Sequence, residues 1–299
     1  MKCSNCGENI PQESQFCGKC GADQTSSMTV VFPDKNLEAA VRKAINRPEG
    51  TLTRADLKGL RKLNAYYNDI KDISCLEYAV NLTGLWLNDN GITDLTPLAS
   101  LTNLVRLELT QNQITDISPL SSLTNLGRLE LTQNQITDIS PLASLTKLTG
   151  LGLNDNQITD ISPLASLTNL VRLELTSNSI TDISPLTSLT NLFLLNLANN
   201  QITDISPLTS LTKLTKTMLG DQFNDNIVNR QIISTLKAKN IITDIDDNRM
   251  SFDEQPTPNK ESLLGEISQR SSKTQLLGWL ILLFVVSTIL AIVWLIRGA

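Results

Sequence analysis

The chain has 299 residues and a net charge of −5, from 25 Lys and Arg residues against 30 Asp and Glu residues. This mild acidic balance provides none of the basic surface that nucleic-acid binding requires, so we expect no nucleic-acid ligand. The sequence contains no histidine, which removes the commonest general base near neutral pH and the commonest metal ligand. We therefore expect a protein that is not an enzyme.

Residues 1–24 contain two short-spaced cysteine pairs: Cys3 and Cys6, then Cys17 and Cys20. A C-x-x-C turn lets two thiolates reach one metal, and the glycines that follow the pairs, Gly7 and Gly21, permit the tight backbone of such a turn. Two turns together supply the four thiolates of a tetrahedral Zn²⁺ site. Because so short a segment buries almost no core, the metal is expected to supply the folding free energy. A redox pair or disulfides are the alternatives.

The segment CSNCGENIPQESQFCGKCG resembles the minimal zinc ribbon found at the N-terminus of many bacterial membrane proteins. Some zinc ribbons bind nucleic acid. Here Lys2 and Lys19 stand against Glu8, Glu13 and Asp23, which makes a poor phosphate-binding surface. We expect a structural or docking module.

Residues 32–60 are predicted to form an N-terminal helical cap. Asp34 is placed to N-cap a helix from Lys35 to Ile45, whose apolar residues share one face. Thr53 is placed to begin a second, short helical turn. Such a cap covers the apolar end of a stack of repeats that has no preceding repeat.

Residues 61–216 repeat with a period of 22 residues, and the unit from Leu101 to Ser122 reads LTNLVRLELTQNQITDISPLSS. Asparagine recurs in phase at Asn90, Asn112, Asn134, Asn156, Asn178 and Asn200. Aspartate recurs at Asp94, Asp116, Asp138, Asp160, Asp182 and Asp204. This period, with the pattern L-x-x-L-x-L-x-x-N, predicts an α/β leucine-rich-repeat solenoid, an arc or horseshoe with helical caps.

Each part of the repeat has a predicted structural role. Leu107 and Leu109 mark a short parallel strand with inward leucines, and the asparagine that follows turns into the solenoid to satisfy backbone groups of the loop. Ile114 fills the core below. Ser118 is expected to N-cap a short helical or 3₁₀ turn with Pro119 at its first position. The aspartate two residues before the serine is expected to cap or brace that turn. We interpret both polar rows as structural.

The ITDISPLASLTNL units resemble the internalin-like, 22-residue class of bacterial leucine-rich repeats, and FPDKNLEAAVRKAI resembles the N-terminal cap of that class. The resemblance runs from about residue 32 to residue 214. It implies that the concave strand face binds a protein partner. It also implies secreted surface proteins, whereas the polar start MKCSNCGENI lacks the apolar segment of a cleavable signal peptide.

Side chains that flank the strand leucines are predicted to point out of the concave face. The residues that we expect to bind a partner there are Tyr66, Trp86, Arg106, Glu108, Arg128, Glu130, Arg172 and Glu174. The alternative for the charged rows is a self-neutralising, solvated face. Tyr66 and Trp86 beside an arginine have hot-spot composition, and the alternative for them is packing under the N-terminal cap. Gly150 and Gly152 are expected to leave a notch.

Residues 217–248 are predicted to form the C-terminal cap, with a helix at 227–239 and a last strand at 241–245. The cap is expected to cover two residues that interrupt the repeat pattern, Phe193 and Leu194.

The remaining residues are predicted to form a linker and a membrane span. Residues 249–273 are polar and contain two prolines, which suits a linker. Residues 274–297 include 21 consecutive uncharged residues from Leu276 to Ile296, the length of one transmembrane helix. Trp279 and Trp294 lie near its two ends, where interfacial aromatic residues belong.

Three features favour a cytoplasmic location for the bulk of the chain. Arg270 and Lys273 precede the predicted span, whereas Arg297 alone follows it. The start of the chain has no recognisable signal peptide. A four-thiolate zinc site also suits a reducing compartment. We therefore expect a single-pass, tail-anchored membrane protein.

Together these features predict a membrane-anchored protein–protein interaction scaffold that binds its partner on the concave face. Two alternatives stay open: a surface-exposed adhesin or ligand-binding protein, and a zinc-ribbon regulatory protein.

Overall fold

The computed structural model describes residues 2–3, 5–11, 14–21, 28–220, 227–239 and 241–243. The predicted linker and the predicted membrane span lie outside these residues. In the described part of the chain, no helix combines the length and the apolar character that crossing a membrane requires.

The N-terminal cap consists of a two-stranded antiparallel sheet and two helices. Strand β1 (Thr29–Val30) pairs antiparallel with β2 (Leu52–Thr53). Helix α1 (Lys35–Ala44) lies between them in sequence, and α2 (Arg54–Lys58) follows β2 directly. The buried face of α1 carries Leu37, Ala40 and Val41, so the predicted amphipathic cap helix is confirmed.

Asp34 caps α1 and also binds the first repeat. One carboxylate oxygen, Oδ1, accepts hydrogen bonds from the backbone N–H groups of Asn36 (2.9 Å) and Leu37 (3.1 Å). The other, Oδ2, accepts one from the N–H of Lys71 (2.9 Å). The predicted N-cap is therefore confirmed, and the same carboxylate satisfies a backbone group of the repeat beneath it. Burial by itself would raise the pKa of Asp34, but these hydrogen bonds together outweigh it and lower that pKa.

Nine parallel strands form the sheet of the solenoid in the described residues, ordered β3 to β11 along the stack. Their bounds are β3 Lys62–Asn64, β4 Gly84–Trp86, β5 Arg106–Glu108, β6 Arg128–Glu130, β7 Gly150–Gly152, β8 Arg172–Glu174, β9 Leu194–Asn196, β10 Lys216–Met218 and β11 Ile242–Thr243. From β3 to β10, paired residues lie one repeat apart, as Leu107 and Leu129 do. Each outward side chain therefore stands beside its equivalents in the neighbouring repeats.

A short 3₁₀ turn occupies the side of each repeat opposite the strand. The turns are Leu76–Tyr78, Thr96–Leu98, Ser118–Ser122, Ser140–Ser144, Ser162–Ser166, Ser184–Ser188 and Ser206–Ser210. The prediction that serine is the N-cap was wrong, because Ile117 occupies that position before Ser118 and makes no side-chain capping bond. Asp116 instead accepts hydrogen bonds from the Ser118 N–H (2.8 Å) and hydroxyl (3.0 Å). The aspartate row thus braces the turns, as predicted.

Leucine and isoleucine fill the interior in identical layers. The buried apolar residues of the repeat 101–122 are Leu101, Leu104, Leu107, Leu109, Ile114, Ile117 and Leu120. All belong to one continuous core that runs from the N-terminal cap to the C-terminal cap. No repeat covers these side chains alone, so its stability comes from stacking against its neighbours.

The C-terminal cap contains helix α3 (Ile227–Ala238) and strand β11. Asn229 of α3 is almost fully buried. Its Nδ2 donates to the carbonyl of Thr203 (2.6 Å), and its Oδ1 accepts from the N–H of Ile205 (3.3 Å). The cap helix therefore satisfies backbone groups of the last repeat, as Asp34 does for the first. The expectation that the cap covers Phe193 was wrong, because this residue stays 53% exposed, whereas Leu194 is half-buried.

The asparagine row forms a buried amide ladder. Asn134 Nδ2 donates to the carbonyls of Leu131 (3.0 Å) and Thr132 (3.3 Å) in its own repeat. It also donates to Leu109 (3.0 Å) in the preceding repeat, and its Oδ1 accepts from the N–H of Ile114 (3.1 Å) there. One amide thus satisfies loop groups of two repeats and joins them, which confirms the predicted structural role.

Two further ladders, which the sequence analysis did not predict, join the repeats near the 3₁₀ turns. Ser144 Oγ donates to the carbonyl of Ser121 in the preceding repeat (2.7 Å). Asn125 Nδ2 donates to the carbonyl of Thr102 (2.9 Å). Neighbouring repeats are therefore hydrogen-bonded on several sides of the core.

We expect Asn134→Ala to lower the free energy of unfolding by about 1–3 kcal/mol, because it leaves buried backbone groups of two repeats without partners. The control is Gln135→Ala, which removes an exposed amide from the same loop and is expected to change stability by less than about 0.5 kcal/mol. Urea unfolding followed by circular dichroism measures both. Equal losses from the two substitutions would contradict the role of the ladder.

Candidate functional site

Two tight turns bring the four N-terminal cysteines together. The N–H of Gly7 donates to the carbonyl of Cys3 (3.0 Å), and that of Gly21 donates to Cys17 (2.8 Å). Both glycines have positive φ, 73° and 69°, a conformation that glycine adopts without steric cost. The prediction that each turn depends on its glycine is therefore confirmed.

The four sulfur atoms form one compact cluster. The Sγ atoms of Cys3 and Cys20 are 3.6 Å apart, and those of Cys6 and Cys17 are 3.7 Å apart. All four lie within 4.8 Å of one another. Four sulfurs bound to one Zn²⁺ at about 2.3 Å are separated by about 3.8 Å, so this donor set fits a tetrahedral zinc ion. All four are free cysteines rather than disulfides.

Neighbouring groups shift the pKa values of two of the thiols in opposite directions: backbone hydrogen bonding, chiefly with Cys6, lowers the pKa of Cys3. The backbone N–H of Glu8 lowers the pKa of Cys6, but hydrogen bonds with neighbouring thiols and burial outweigh it and raise this pKa to about 12. Four adjacent thiolates repel one another unless a cation neutralises them. Because four thiols lie within 4.8 Å of one another, the cluster has the donor set of a metal site, whereas a redox pair needs only two thiols.

Arginine and glutamate pair within single strands on the concave face. Arg106 Nε donates to Glu108 Oε1 (2.7 Å), and Arg128 Nε donates to Glu130 Oε1 (3.1 Å). Arg172 forms the same ion pair with Glu174. The glutamate side chains retain only 12–16% exposure, whereas the arginine side chains retain 22–35%. The face is self-neutralising, as one alternative predicted, but its carboxylates are sunk beneath the guanidinium groups rather than solvated.

The expected notch in the middle of the face is partly filled. A Cβ atom at Gly152 would overlap Oε2 of Glu130, so this carboxylate occupies the space that the glycine leaves. Burial raises the pKa of Glu130, and the nearby Arg128 only partly offsets that effect. The space above Gly150 has no such overlap, since the nearest side-chain atom to a Cβ there is Cγ of Arg128 at 3.7 Å.

Trp86 lies across its own strand. Its indole covers Gly84, where a Cβ atom would be 2.6 Å from the ring. The guanidinium of Arg106 lies 5.7 Å from the centroid of the ring, within cation–π range. Trp86 therefore packs on the concave face itself and remains partly exposed, which leaves an aromatic surface beside an arginine.

Tyr66 is half-buried and has a neighbour that the sequence analysis missed. Its ring packs edge-on against Tyr67, with centroids 5.6 Å apart, and Tyr67 is 73% exposed. A hydrogen bond with Asp89 raises the pKa of Tyr67. Tyr67 occupies the positive-φ position that Gln111 and its equivalents hold in later repeats. An aromatic residue at an otherwise polar repeat position was the signal that could have identified it.

A row of exposed apolar side chains at the start of the strands was also missed. Val105, Val171 and Phe193 each precede a strand by one residue and are 51%, 43% and 53% exposed. Val105 and Val171 directly precede the arginines that begin β5 and β8, whereas Phe193 precedes Leu194, the residue at the equivalent position of β9. The described face thus combines aromatic, cationic and apolar groups.

Sequence profiles and known proteins identify two parts of the chain. A profile for leucine rich repeats (2 copies) matches residues 58–100, 80–112, 102–144 and 146–188. A profile for the zinc-ribbon domain matches residues 2–23.

Several internalins of Listeria monocytogenes are similar to this chain. Internalin H of serovar 1/2a (strain ATCC BAA-679 / EGD-e) is 37% identical over 69 residues, which is 22% of this chain and 13% of that protein. The crystal structure of an internalin (inlF) of str. 4b F2365 has a TM-score of 0.63 and 38% identity, over 65% of this chain and 60% of that one. The chain thus spans only part of these two relatives.

The crystal structure of internalin C2 from the same strain matches over most of its length. It has a TM-score of 0.64 and 40% sequence identity, and the match covers 71% of this chain and 93% of that chain. This identity over nearly a whole relative establishes that the chain belongs to the internalin-like family of leucine-rich-repeat proteins.

Proposed function

We propose that this protein is a membrane-anchored scaffold that holds a protein partner on the concave face of its repeats. The observation that carries the proposal is the guanidinium of Arg106 beside the partly exposed ring of Trp86, at the N-terminal end of the face, where Tyr66 is also partly exposed. Partly exposed aromatic residues beside arginine are the usual composition of an interaction hot spot. The parallel sheet and the amide ladder hold this group rigidly, which lowers the entropic cost of binding.

The charged pairs contribute orientation rather than most of the affinity. Each arginine already bonds a glutamate of its own strand, so a partner adds contacts to a guanidinium whose charge is largely neutralised. Arg106 with Glu108 in β5, and Arg172 with Glu174 in β8, therefore fix the register of a partner through directional hydrogen bonds.

The zinc ribbon is proposed to bind one Zn²⁺ through the four clustered thiolates. The ion would neutralise the thiolates and close the two turns against each other, which is a structural role. Cys3 and Cys17 are buried in this cluster, whereas Cys6 and Cys20 are exposed. The ribbon then presents a small folded surface at the N-terminus for docking.

The membrane anchor is proposed to be the uncharged segment within residues 274–297. The linker 249–273 would separate it from the repeats, with the repeats in the cytoplasm. Added protease distinguishes this arrangement from a surface adhesin, because it degrades the repeat domain of intact cells only if that domain lies outside.

We expect the freshly purified, reduced protein to contain about one Zn²⁺ per chain. Cys20→Ser is expected to abolish stoichiometric zinc, since it removes one of four ligands. Cys75→Ser is the matched control and is expected to retain zinc, because Cys75 packs beside the N-terminal cap with Sγ 3.5 Å from the Val31 carbonyl. Elemental analysis by mass spectrometry measures all three proteins. A zinc-free parent chain would contradict the proposal.

We expect a photo-crosslinking residue in place of Trp86 to capture the partner, whereas the same residue in place of Ser144, near the 3₁₀ turns, captures none.

Once that partner is identified, Trp86→Ala is expected to weaken binding by about 2 kcal/mol, roughly 30-fold, because it removes the aromatic anchor. Thr132→Ala on the same sheet is the control and should change affinity little. Calorimetry at low temperature, together with the melting temperature, separates lost binding from lost stability; normal affinity of a destabilised Trp86→Ala protein would refute the anchor role.

We expect deletion of residues 274–299 to move the protein from the membrane pellet to the soluble fraction, because the repeats are closed by caps at both ends and need no apolar tail for folding. Fractionation followed by circular dichroism checks both location and folding. Retention of a folded, truncated chain in the membrane pellet would argue against a single anchor.

A further inference from the structure

The repeats themselves form a larger repeat. Residues 82–147 and 148–213 match as two blocks of three 22-residue units. Both blocks begin L-T-G-L and continue with L-N-D-N, and the string S-L-T-N-L-V-R-L-E-L-T occurs at 100–110 and again at 166–176. The third unit of each block differs, with G-R-L-E-L-T at 127–132 and F-L-L-N-L-A at 193–198. The duplicated surface therefore lies on the first two strands of each block.

The first block builds a polar cluster from β4 and β5. Asn88 Nδ2 donates to Glu108 Oε2 (3.0 Å), and Asn88 Oδ1 accepts from the N–H of Thr110 (2.9 Å). Arg106 holds the other carboxylate oxygen of Glu108. Val105, the residue immediately before Arg106, is 51% exposed. We call this set, Asn88, Val105, Arg106, Glu108 and Thr110, the first half-site.

The second block builds the same cluster from β7 and β8. Asn154 Nδ2 donates to Glu174 Oε2 (2.8 Å), and Asn154 Oδ1 accepts from the N–H of Thr176 (2.8 Å). Arg172 again holds the other carboxylate oxygen, and Val171 is 43% exposed. These five residues form the second half-site, three strands along the sheet from the first.

In each half-site, the groups that remain accessible to a partner are the guanidinium group of the arginine and the apolar side chain of the valine that precedes it. The two carboxylate oxygens of each glutamate already have partners, one in the arginine and one in the asparagine. Only 13% of the Glu108 side chain and 12% of the Glu174 side chain are exposed. The side chains of Arg106 and Arg172 keep 35% and 22% exposure. A guanidinium is complementary to a carboxylate, which it binds in bidentate geometry. An acidic side chain next to an apolar one therefore fits each half-site.

Arg128, which lies between the half-sites, is built differently. Its partner Glu130 extends over Gly152 rather than being held by an asparagine of the preceding strand. The first position of its strand is preceded by Gly127 where both half-sites have valine. The middle arginine thus has neither of the features that the half-sites share.

We propose that the two half-sites bind two acidic side chains of one partner segment, each followed by an apolar residue. This proposal rests on the proposed function, since it concerns the same concave face. Three strand spacings of about 4.8 Å place the two arginine positions roughly 14 Å apart. An extended chain that crosses the strands advances about 3.3 Å per residue, so acidic residues four positions apart match this distance.

The test uses fluorescein-labelled peptides and the full chain, with binding followed by fluorescence anisotropy at low ionic strength. The probe carries two Asp-Leu pairs four residues apart. The comparison peptides carry one pair, two pairs seven residues apart, or Lys-Leu in place of Asp-Leu. We expect the four-residue spacing to bind at least tenfold more tightly than any comparison peptide.

Paired variants then test the residues without leaving a buried charge unpaired. The variants R106Q/E108Q and R172Q/E174Q are each expected to lower the affinity for the two-pair peptide to that of the single-pair peptide. R128Q/E130Q is the matched control and is expected to change affinity less than twofold, with the melting temperature of each variant measured alongside.

No binding, indifference to spacing, equal binding of the lysine peptide, or an equal effect of R128Q/E130Q would each overturn the proposal. A different result is that the partner captured by the crosslinker at position 86 binds both half-site variants with unchanged affinity. That result would overturn the binding role of the half-sites and leave the proposed function standing.

Discussion

The buried asparagine amide is the interaction on which the rest of the solenoid depends. A loop that returns from each strand toward the 3₁₀ turn carries backbone N–H and C=O groups into an apolar interior, where unpaired groups cost about 1–3 kcal/mol each. Asn112, Asn134, Asn156 and Asn178 are buried at this point in successive repeats. Each amide is hydrogen-bonded to its own repeat and to the one before it. The same hydrogen bonds therefore satisfy the buried backbone groups of the loop and set the distance between adjacent repeats.

A ladder of this kind needs partners at both ends, and the two caps supply them differently. At the start, the Asp34 carboxylate caps a helix and bonds the backbone of Lys71. At the finish, Asn229 from the cap helix bonds the backbone of Thr203 and Ile205. The apolar ends of the core are covered by the same elements. Closing the polar ladder and covering the leucines are thus accomplished together, as a one-dimensional stack requires.

Regular stacking also explains why functional residues stand out as departures from the repeat. The sheet holds every outward residue beside its equivalents in the neighbouring strands. Trp86 is therefore adjacent to Glu108, which occupies the same row, and to Arg106, which occupies the neighbouring row. Gly84 and Gly152 leave space that a neighbouring side chain then occupies. In this internalin-like protein the residues that recur in every repeat are structural, and the candidate binding residues occupy outward positions whose residue type changes along the stack.

The sequence by itself determined the period, the parallel strands, the inward leucines, the structural asparagine and aspartate rows and the clustered cysteines. These follow from local rules: a fixed period gives identical layers, and a doubled C-x-x-C-G gives converging thiols. Tertiary structure alone decided that the glutamates sink beneath the arginines, that Glu130 fills the space above Gly152, and that Trp86 folds over Gly84. It also decided that isoleucine rather than serine occupies the N-cap position of the turns and that Phe193 stays exposed. Side-chain direction on a crowded sheet depends on the volume left by the neighbouring strand, and no single repeat encodes that volume.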